Sequence, residues 1–166
     1  TNHAYFNLDG NASRVPGSAD CRQHRLRLAA SRFLPIDEDG VPDGRVCDVD
    51  GTPFDFRLGR PLDAAPPTDA QLTLNRGYNH AFILDAACRA MTRPAAQLAA
   101  RDGSLILHLY TTLPALQLYA GNYLAGTPAR AGSVYGDYAG VALEAQFPPD
   151  APNHPHWPTP DCILHP

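Results

Sequence analysis

The chain has 166 residues, 44% of them hydrophobic, and it carries a formal net charge of -4 at pH 7. This length and composition are typical of one folded domain with a buried core, and they argue against a disordered chain. The acidic balance leaves no broad cationic surface for nucleic acid or anionic lipid, and no apolar run is long enough to span a membrane. We therefore expect a small, neutral partner, and neither nucleic acid nor a membrane.

All thirteen basic residues of the chain are arginines. A lysine Schiff base and the lysine of a P-loop are therefore excluded within this chain. Glutamate is scarce as well. The chain has fifteen aspartates but only two glutamates, Glu38 in an acidic turn and Glu144 in an extended segment. If a glutamate does chemistry here, it is one of these two.

Proline and glycine, at seventeen and thirteen residues, interrupt the chain too often for long helices. The one helix that the sequence predicts lies near residues 66–72, PPTDAQL. A weaker helical pattern over residues 85–91 is soon stopped by Pro94. Short extended segments are the alternative, and we predict a mostly antiparallel β-structure with long loops.

Four segments of the second half of the chain are predicted strands. Residues 95–100 and 104–112 flank an Asp-Gly turn pair and are predicted to form a β-hairpin. Residues 114–122 and 140–147 alternate between apolar and polar positions, so each strand has one polar face. These two polar faces together carry four side chains: Gln117, Tyr119, Glu144 and Gln146.

The proline-rich tail over residues 148–162 is predicted to be a loop packed by Trp157. His154, His156 and Cys162 fall in or at the end of this loop, and their irregular surroundings favour a loop over a metal site. The cysteines show no C-x-x-C spacing, which is typical of reduced, partly buried thiols. They are Cys21, Cys47, Cys88 and Cys162.

Five blocks of the chain carry a resemblance: TNHAYFNLDG (1–10), GYNHAFIL (77–84), YTTLPALQLYAGNYLAGTP (110–128), ALEAQFPPDAPNHPHWP (142–158) and CILHP (162–166). Their order and spacing resemble the carboxyl-terminal half of the aldose 1-epimerases, the galactose mutarotases. The resemblance implies an all-β fold, the antiparallel galactose mutarotase-like supersandwich. It also implies that residues 1–166 are a single mutarotase-like β-sandwich segment, incomplete at both ends.

The resemblance also implies roles for individual residues that spacing alone does not assign. By spacing alone, His3 and Glu144 are more typical of surface or structural side chains. In the family pattern His3 corresponds to the general acid and Glu144 to the general base, while Tyr5 and Gln117 match positions that contact the sugar. Asn79 stands where the family usually has an aspartate, and an amide weakens a charge-assisted hydrogen bond to a sugar hydroxyl.

These roles predict an aldose 1-epimerase that interconverts the α and β anomers of free hexoses such as galactose or glucose by acid/base ring opening. No cofactor is expected, and the partner is an aldose. Two alternatives stay open: a non-catalytic mutarotase-like carbohydrate-binding module, and a hexose-phosphate epimerase, which needs an arginine cluster at the cleft rim. We expect a cytoplasmic protein. We expect these 166 residues alone to self-associate or to be stable only beside a missing amino-terminal half, and to show little mutarotase activity on their own.

Overall fold

Antiparallel strands make up most of the regular structure in a computed structural model that describes residues 2–10, 20–63 and 68–157. The strands are β1 (Tyr5–Phe6), β2 (Arg25–Leu28), β3 (Ala30–Phe33), β4 (Cys47–Asp48), β5 (Arg60–Pro61), β6 (Asn79–Leu84), β7 (Ala96–Ala99), β8 (Ile106–Leu109), β9 (Ala115–Tyr119) and β10 (Val141–Gln146). A larger sheet has the order β1-β10-β9-β6-β3-β4, and a smaller sheet has the order β5-β2-β7-β8. The predicted all-β class is confirmed.

The helix predicted near residues 66–72 begins later than expected. Helix α1 spans Ala70–Leu74, and the side chain of Asp69 caps it by accepting hydrogen bonds from the backbone N–H groups of Gln71 and Leu72. An aspartate in this role satisfies N–H groups that have no partner within the helix, which fixes the start of α1. Residues 66 and 67 lie outside the described part of the chain.

The weaker helical pattern over residues 85–91 forms only a 3₁₀ turn. This turn spans Ala86–Cys88. Three further 3₁₀ turns lie in the loops of the described chain, at Cys21–Gln23, Arg130–Gly132 and Ala151–Asn153. None of the helices among the described residues is long and apolar enough to cross a membrane.

The two sheets enclose the main hydrophobic core. Both sheets contribute side chains that are fully buried, including Leu26 and Leu98 from the smaller sheet and Phe82 and Leu116 from the larger one. Each large apolar side chain buried in this way stabilises the fold by about 1.5–3 kcal/mol. His80 is buried in the same core, and desolvation lowers its pKa to about 3, so this imidazole is neutral at pH 7.

The predicted hairpin and the two predicted alternating strands are present. Strands β7 and β8 pair from Ala96 opposite Leu109 to Ala99 opposite Ile106. In β9 and β10, Leu116, Leu118, Val141 and Leu143 face the core. The intervening side chains therefore point away from the core, onto the outer face of the larger sheet.

The loop after β10 crosses part of that outer face. Trp157 is buried, and its indole N–H donates a hydrogen bond to the carbonyl oxygen of Gly44 at 3.1 Å. It shares a small apolar cluster with Ala81, Ile83 and Ala115 of the larger sheet. The predicted packing by Trp157 is confirmed, whereas residues 158–162 of the predicted loop lie outside the described residues.

His154 of this loop packs within the protein, and the described cysteines form no disulfide. His154 stacks on Trp157 with ring centroids 4.2 Å apart, and its Nε2 lies 3.1 Å from Oδ2 of Asp150. Cys21, Cys47 and Cys88 are free thiols. The metal site considered above would also need Cys162. This residue and the rest of the CILHP block lie outside the described residues.

Candidate active site

Strand register brings the predicted site residues together on the outer face of the larger sheet. Glu144 of β10 pairs with Gln117 of β9. One row along, Tyr119 of β9 lies between Ala142 of β10 and Asn79 of β6, and Tyr5 of β1 pairs with Ala142. Residues that pair directly across antiparallel strands point to the same face. The polar face predicted from the alternation of β9 and β10 is therefore formed.

His3 and Glu144 lie in direct contact at this face. Nε2 of His3 is 3.3 Å from Oε1 of Glu144, although the two residues are near opposite ends of the sequence. The antiparallel pairing of β1 with β10 brings them together, because it runs the segment before β1 alongside Glu144. The His3 side chain is 56% exposed, whereas the Glu144 side chain is only 10% exposed.

Burial makes the Glu144 carboxylate more basic than a solvated one. Desolvation raises the pKa of Glu144 above its usual value, and the nearby imidazole of His3 partly offsets this by lowering it. A carboxylate with a raised pKa is a stronger proton acceptor, and a protonated imidazole beside it is a proton donor. The pair therefore has the composition of a general base and a general acid within reach of one substrate.

Two amide side chains form the next part of the site. Nε2 of Gln117 donates a hydrogen bond to Oδ1 of Asn79 at 2.9 Å, which joins β9 to β6. Oε1 of Gln117 is buried and has no hydrogen-bond partner among the described residues. Leaving such an acceptor unpaired costs about 1–3 kcal/mol, which a donor on a bound ligand or a water molecule would recover.

Two tyrosines lie beside the acid–base pair. The ring centroid of Tyr5 is 5.1 Å from that of His3 and 6.0 Å from that of Tyr119. Desolvation raises the pKa of both phenols, and Glu144 adds to the effect at Tyr5. Both hydroxyl groups therefore remain protonated at neutral pH and can donate hydrogen bonds.

These residues line a cleft of about 320 Å³, within the size range of small-molecule sites. Its walls are formed by His3, Asn79, Gln117, Tyr119, Glu144, Gln146 and Pro149. Four of the five predicted site residues line it, and the fifth, Tyr5, packs against the ring of His3. The sequence predicts no catalytic or sugar-binding role for Tyr119, Gln146 or Pro149. The strand alternation already placed the first two on the polar face, but no sequence signal brings the loop residue Pro149 there.

A larger cavity of about 520 Å³ lies elsewhere, beside α1. It is lined by Arg22, Arg76, Tyr78 and Tyr138 among others. Each arginine already pairs with an aspartate, Arg22 with Asp20 and Arg76 with Asp137. The acid–base pair lies in the smaller cleft, which is therefore the candidate active site. No group of three or more metal-ligating side chains occurs within residues 2–10, 20–63 and 68–157.

Comparison with known proteins identifies the family. The family profile described as aldose 1-epimerase matches residues 1–166. The chain belongs to this family. Over all of its 166 residues, this chain is 46% identical to the aldose 1-epimerase of Escherichia coli K12. The match covers 46% of the length of that relative. The chain is 36% identical to the galactose mutarotase of Bos taurus over 159 residues, covering 95% of this chain and 43% of the relative.

Two solved structures share the fold. The GalM/aldose epimerase homologue from C. elegans superimposes with a TM-score of 0.76 at 27% identity, over 97% of this chain and 45% of that one. The galactose 1-epimerase from Lactobacillus acidophilus gives a TM-score of 0.69 at 36% identity, over 89% of this chain and 40% of that one. The chain thus spans less than half the length of the relatives that it matches.

Proposed function

We propose that this protein is an aldose 1-epimerase, which interconverts the α and β anomers of free hexoses such as galactose or glucose. The observation that carries the proposal is the 3.3 Å contact between Nε2 of His3 and Oε1 of Glu144 in the cleft. Membership of the aldose 1-epimerase family over the whole chain supports it independently.

The proposed reaction is a pair of proton transfers around a ring opening. Glu144, as general base, takes the proton of the anomeric hydroxyl while protonated His3 donates a proton to the ring oxygen. The bond between C1 and the ring oxygen breaks, and the open aldehyde rotates about the C1–C2 bond. Reclosure on the other face returns both protons. Each positioned proton transfer typically contributes a factor of about 10² to 10⁴ in rate.

The remaining site residues would hold the sugar. Tyr5 and Gln117 are proposed to contact it, and the buried Oε1 of Gln117 is an acceptor that a sugar hydroxyl could satisfy. Asn79 offers a neutral amide where an aspartate would offer a charged acceptor. Because hydrogen bonds to charged groups are the stronger ones, we infer that this position binds a sugar hydroxyl less tightly than a carboxylate would.

The second candidate is a carbohydrate-binding module without catalysis, which Asn79 favours because it removes a charge from the sugar-binding wall. The hexose-phosphate alternative receives less support from the cleft. The described residues that line it include no arginine, the side chain best suited to a phosphate.

Polarimetry of freshly dissolved α-D-galactose and α-D-glucose separates these functions. An epimerase speeds the approach to the equilibrium rotation at catalytic protein concentrations. With a binding module, adding the sugar changes the tryptophan fluorescence or gives a measurable heat of binding. The optical rotation of the sugar then still changes at the uncatalysed rate. Acceleration with galactose 6-phosphate or glucose 6-phosphate alone would support the hexose-phosphate alternative.

A further inference from the structure

We propose that Tyr119 is a positioning residue for the acid–base pair: through the ring of Tyr5, it holds the imidazole of His3 against Glu144. The inference rests on the proposed function of the cleft, and it concerns how that function is built into the sheet. Three neighbouring rings carry the inference, those of His3, Tyr5 and Tyr119, and each is held in the structure in a different way.

His3 itself is weakly held by its own segment. It precedes β1, a strand of two residues at the edge of the larger sheet, and within the described part of the chain β1 pairs only Tyr5 with Ala142 and Phe6 with Val141. Before β1, the backbone N–H of Ala4 donates a hydrogen bond to Oδ1 of Asn2, a local contact two residues away. Among the described residues, the imidazole contacts the carboxylate of Glu144 and the ring of Tyr5. Ring packing therefore has a large share in placing it.

The ring of Tyr5 contacts the rings of both His3 and Tyr119. Its side chain makes no hydrogen bond to another described residue, and the residue is 43% exposed. Two neighbours confine it. Gly140 lies so close that an added Cβ would be 3.1 Å from Cβ of Tyr5. The ring of Tyr119 meets that of Tyr5 edge-on, with an interplanar angle of 70°.

Of the three residues, Tyr119 is the one that stands on an interior strand of the sheet. It lies on β9, which is paired on both sides, and its backbone is opposite Ala142 and Asn79. Its Oη accepts a hydrogen bond from the backbone N–H of Tyr123 at 3.0 Å. The series from Tyr119 through Tyr5 to His3 thus connects an interior strand to a half-exposed catalytic group on the edge of the sheet.

Kinetics of Tyr119→Leu and Tyr119→Phe give the first test, with Tyr123→Leu as control. Tyr123 is exposed, its backbone N–H donates to Tyr119, and its ring lies against the guanidinium of Arg76, so this ring is outside the series. A displaced acid should lower kcat by about 10- to 100-fold for Tyr119→Leu, because small misplacements of catalytic groups are costly. Tyr119→Phe, which keeps the ring, should lose less. A rise in KM with kcat unchanged would overturn the proposal and make Tyr119 a substrate contact alone.

A titration of the Glu144 carboxyl tests the positioning role of Tyr119 without an activity assay. With ¹³C-labelled glutamate, the chain gives two side-chain carboxyl signals, Glu144 and the exposed Glu38 as internal reference. His3 lowers the pKa of Glu144. Moving His3 away should therefore raise the pKa of Glu144 in Tyr119→Leu, as in His3→Asn, and the double variant should show no further rise.

Gly140→Ala repeats the titration by a route that leaves Tyr119 intact, since the added methyl group would lie 3.1 Å from Cβ of Tyr5 and push that residue by a few tenths of an ångström. It should raise the pKa of Glu144 as well. An unchanged pKa of Glu144 in both Tyr119→Leu and Gly140→Ala, with the expected rise in His3→Asn, would overturn the proposal. If the protein proves not to be an epimerase, the titration still gives either result, so failure of the function and failure of the positioning role are distinguished.

Discussion

Gln117 donates its amide N–H to Oδ1 of Asn79, and this 2.9 Å hydrogen bond joins two neighbouring strands in the lining of the cleft. The amide at position 79 is thus already engaged with the protein on its acceptor side. A carboxylate at the same position would accept the hydrogen bond from Gln117 and retain a charged oxygen for a sugar hydroxyl.

The first prediction follows from this pair. Asn79→Asp should lower KM for free hexoses by about five- to tenfold, since hydrogen bonds to charged groups exceed neutral ones by roughly 1 kcal/mol. Initial rates by polarimetry over a range of galactose concentrations measure it. An unchanged or raised KM would show that the amide already binds the sugar as well as a carboxylate does.

The second prediction concerns the stability contribution of Glu144. Burial raises its pKa, so its protonated form is favoured in the fold. Such a group contributes stability at low pH that is lost as the pH rises through its folded pKa. Glu144→Gln should therefore unfold at the same urea concentration as the parent or a higher one at pH 7. The difference should shrink as the pH falls through the raised pKa. A Glu144→Gln protein that is less stable at pH 7 would contradict the direction of this shift.

The third prediction concerns the loop that covers part of the site face. Trp157→Ala should destabilise the fold by about 3–5 kcal/mol, because it leaves a cavity over Ala81, Ile83 and Ala115. Trp157→Phe keeps most of the packing and loses the hydrogen bond to Gly44, at a cost of about 0.5–1.5 kcal/mol. Urea unfolding followed by circular dichroism measures both. Equal stability of all three proteins would show that the loop packs independently of the sheet.

The fourth prediction concerns the outer edge of β8. No described strand pairs with this edge, and Leu105 and Ile106 are 52% and 54% exposed there. An apolar edge strand with free backbone groups pairs readily with another strand. We expect two copies of this chain to associate through β8, and Ile106→Lys to weaken the association in sedimentation equilibrium. Leu58→Lys is the control, because Leu58 is 95% exposed and lies in a turn. A monomer at all concentrations would contradict the prediction.

The alternation of β9 and β10 was enough to predict the polar face of the site. A period of two fixes which residues share a face, so Gln117, Tyr119, Glu144 and Gln146 could be grouped from sequence alone. The alternation could not show that β9 and β10 are neighbours, or that β6 lies on the other side of β9. Those pairings join residues far apart in the chain, and local patterns carry no information about them.

The boundaries of α1 and the position of Pro149 could not be predicted from the sequence, for a related reason. The cap formed by Asp69 depends on one side-chain rotamer, which composition does not specify. Pro149 reaches the cleft because the loop after β10 is held down by Trp157 and Gly44, two residues separated by most of the chain. Likewise, the roles of His3 and Glu144 as acid and base were predicted only because the chain resembles a known family. Spacing alone favoured a surface histidine.

Removal of the base is the most direct test of the account. Assayed in the full-length protein, Glu144→Gln should lower kcat for mutarotation of α-D-galactose by at least about 10² with KM nearly unchanged, since the amide cannot accept the proton. Glu38→Gln, the same change at the exposed second glutamate, should leave kcat at the parent value. His3→Asn should cost a similar factor, and the double variant much less than the product, because the two groups act in one exchange. Parent-like kcat in Glu144→Gln, measured by polarimetry on a folded protein, would contradict the account.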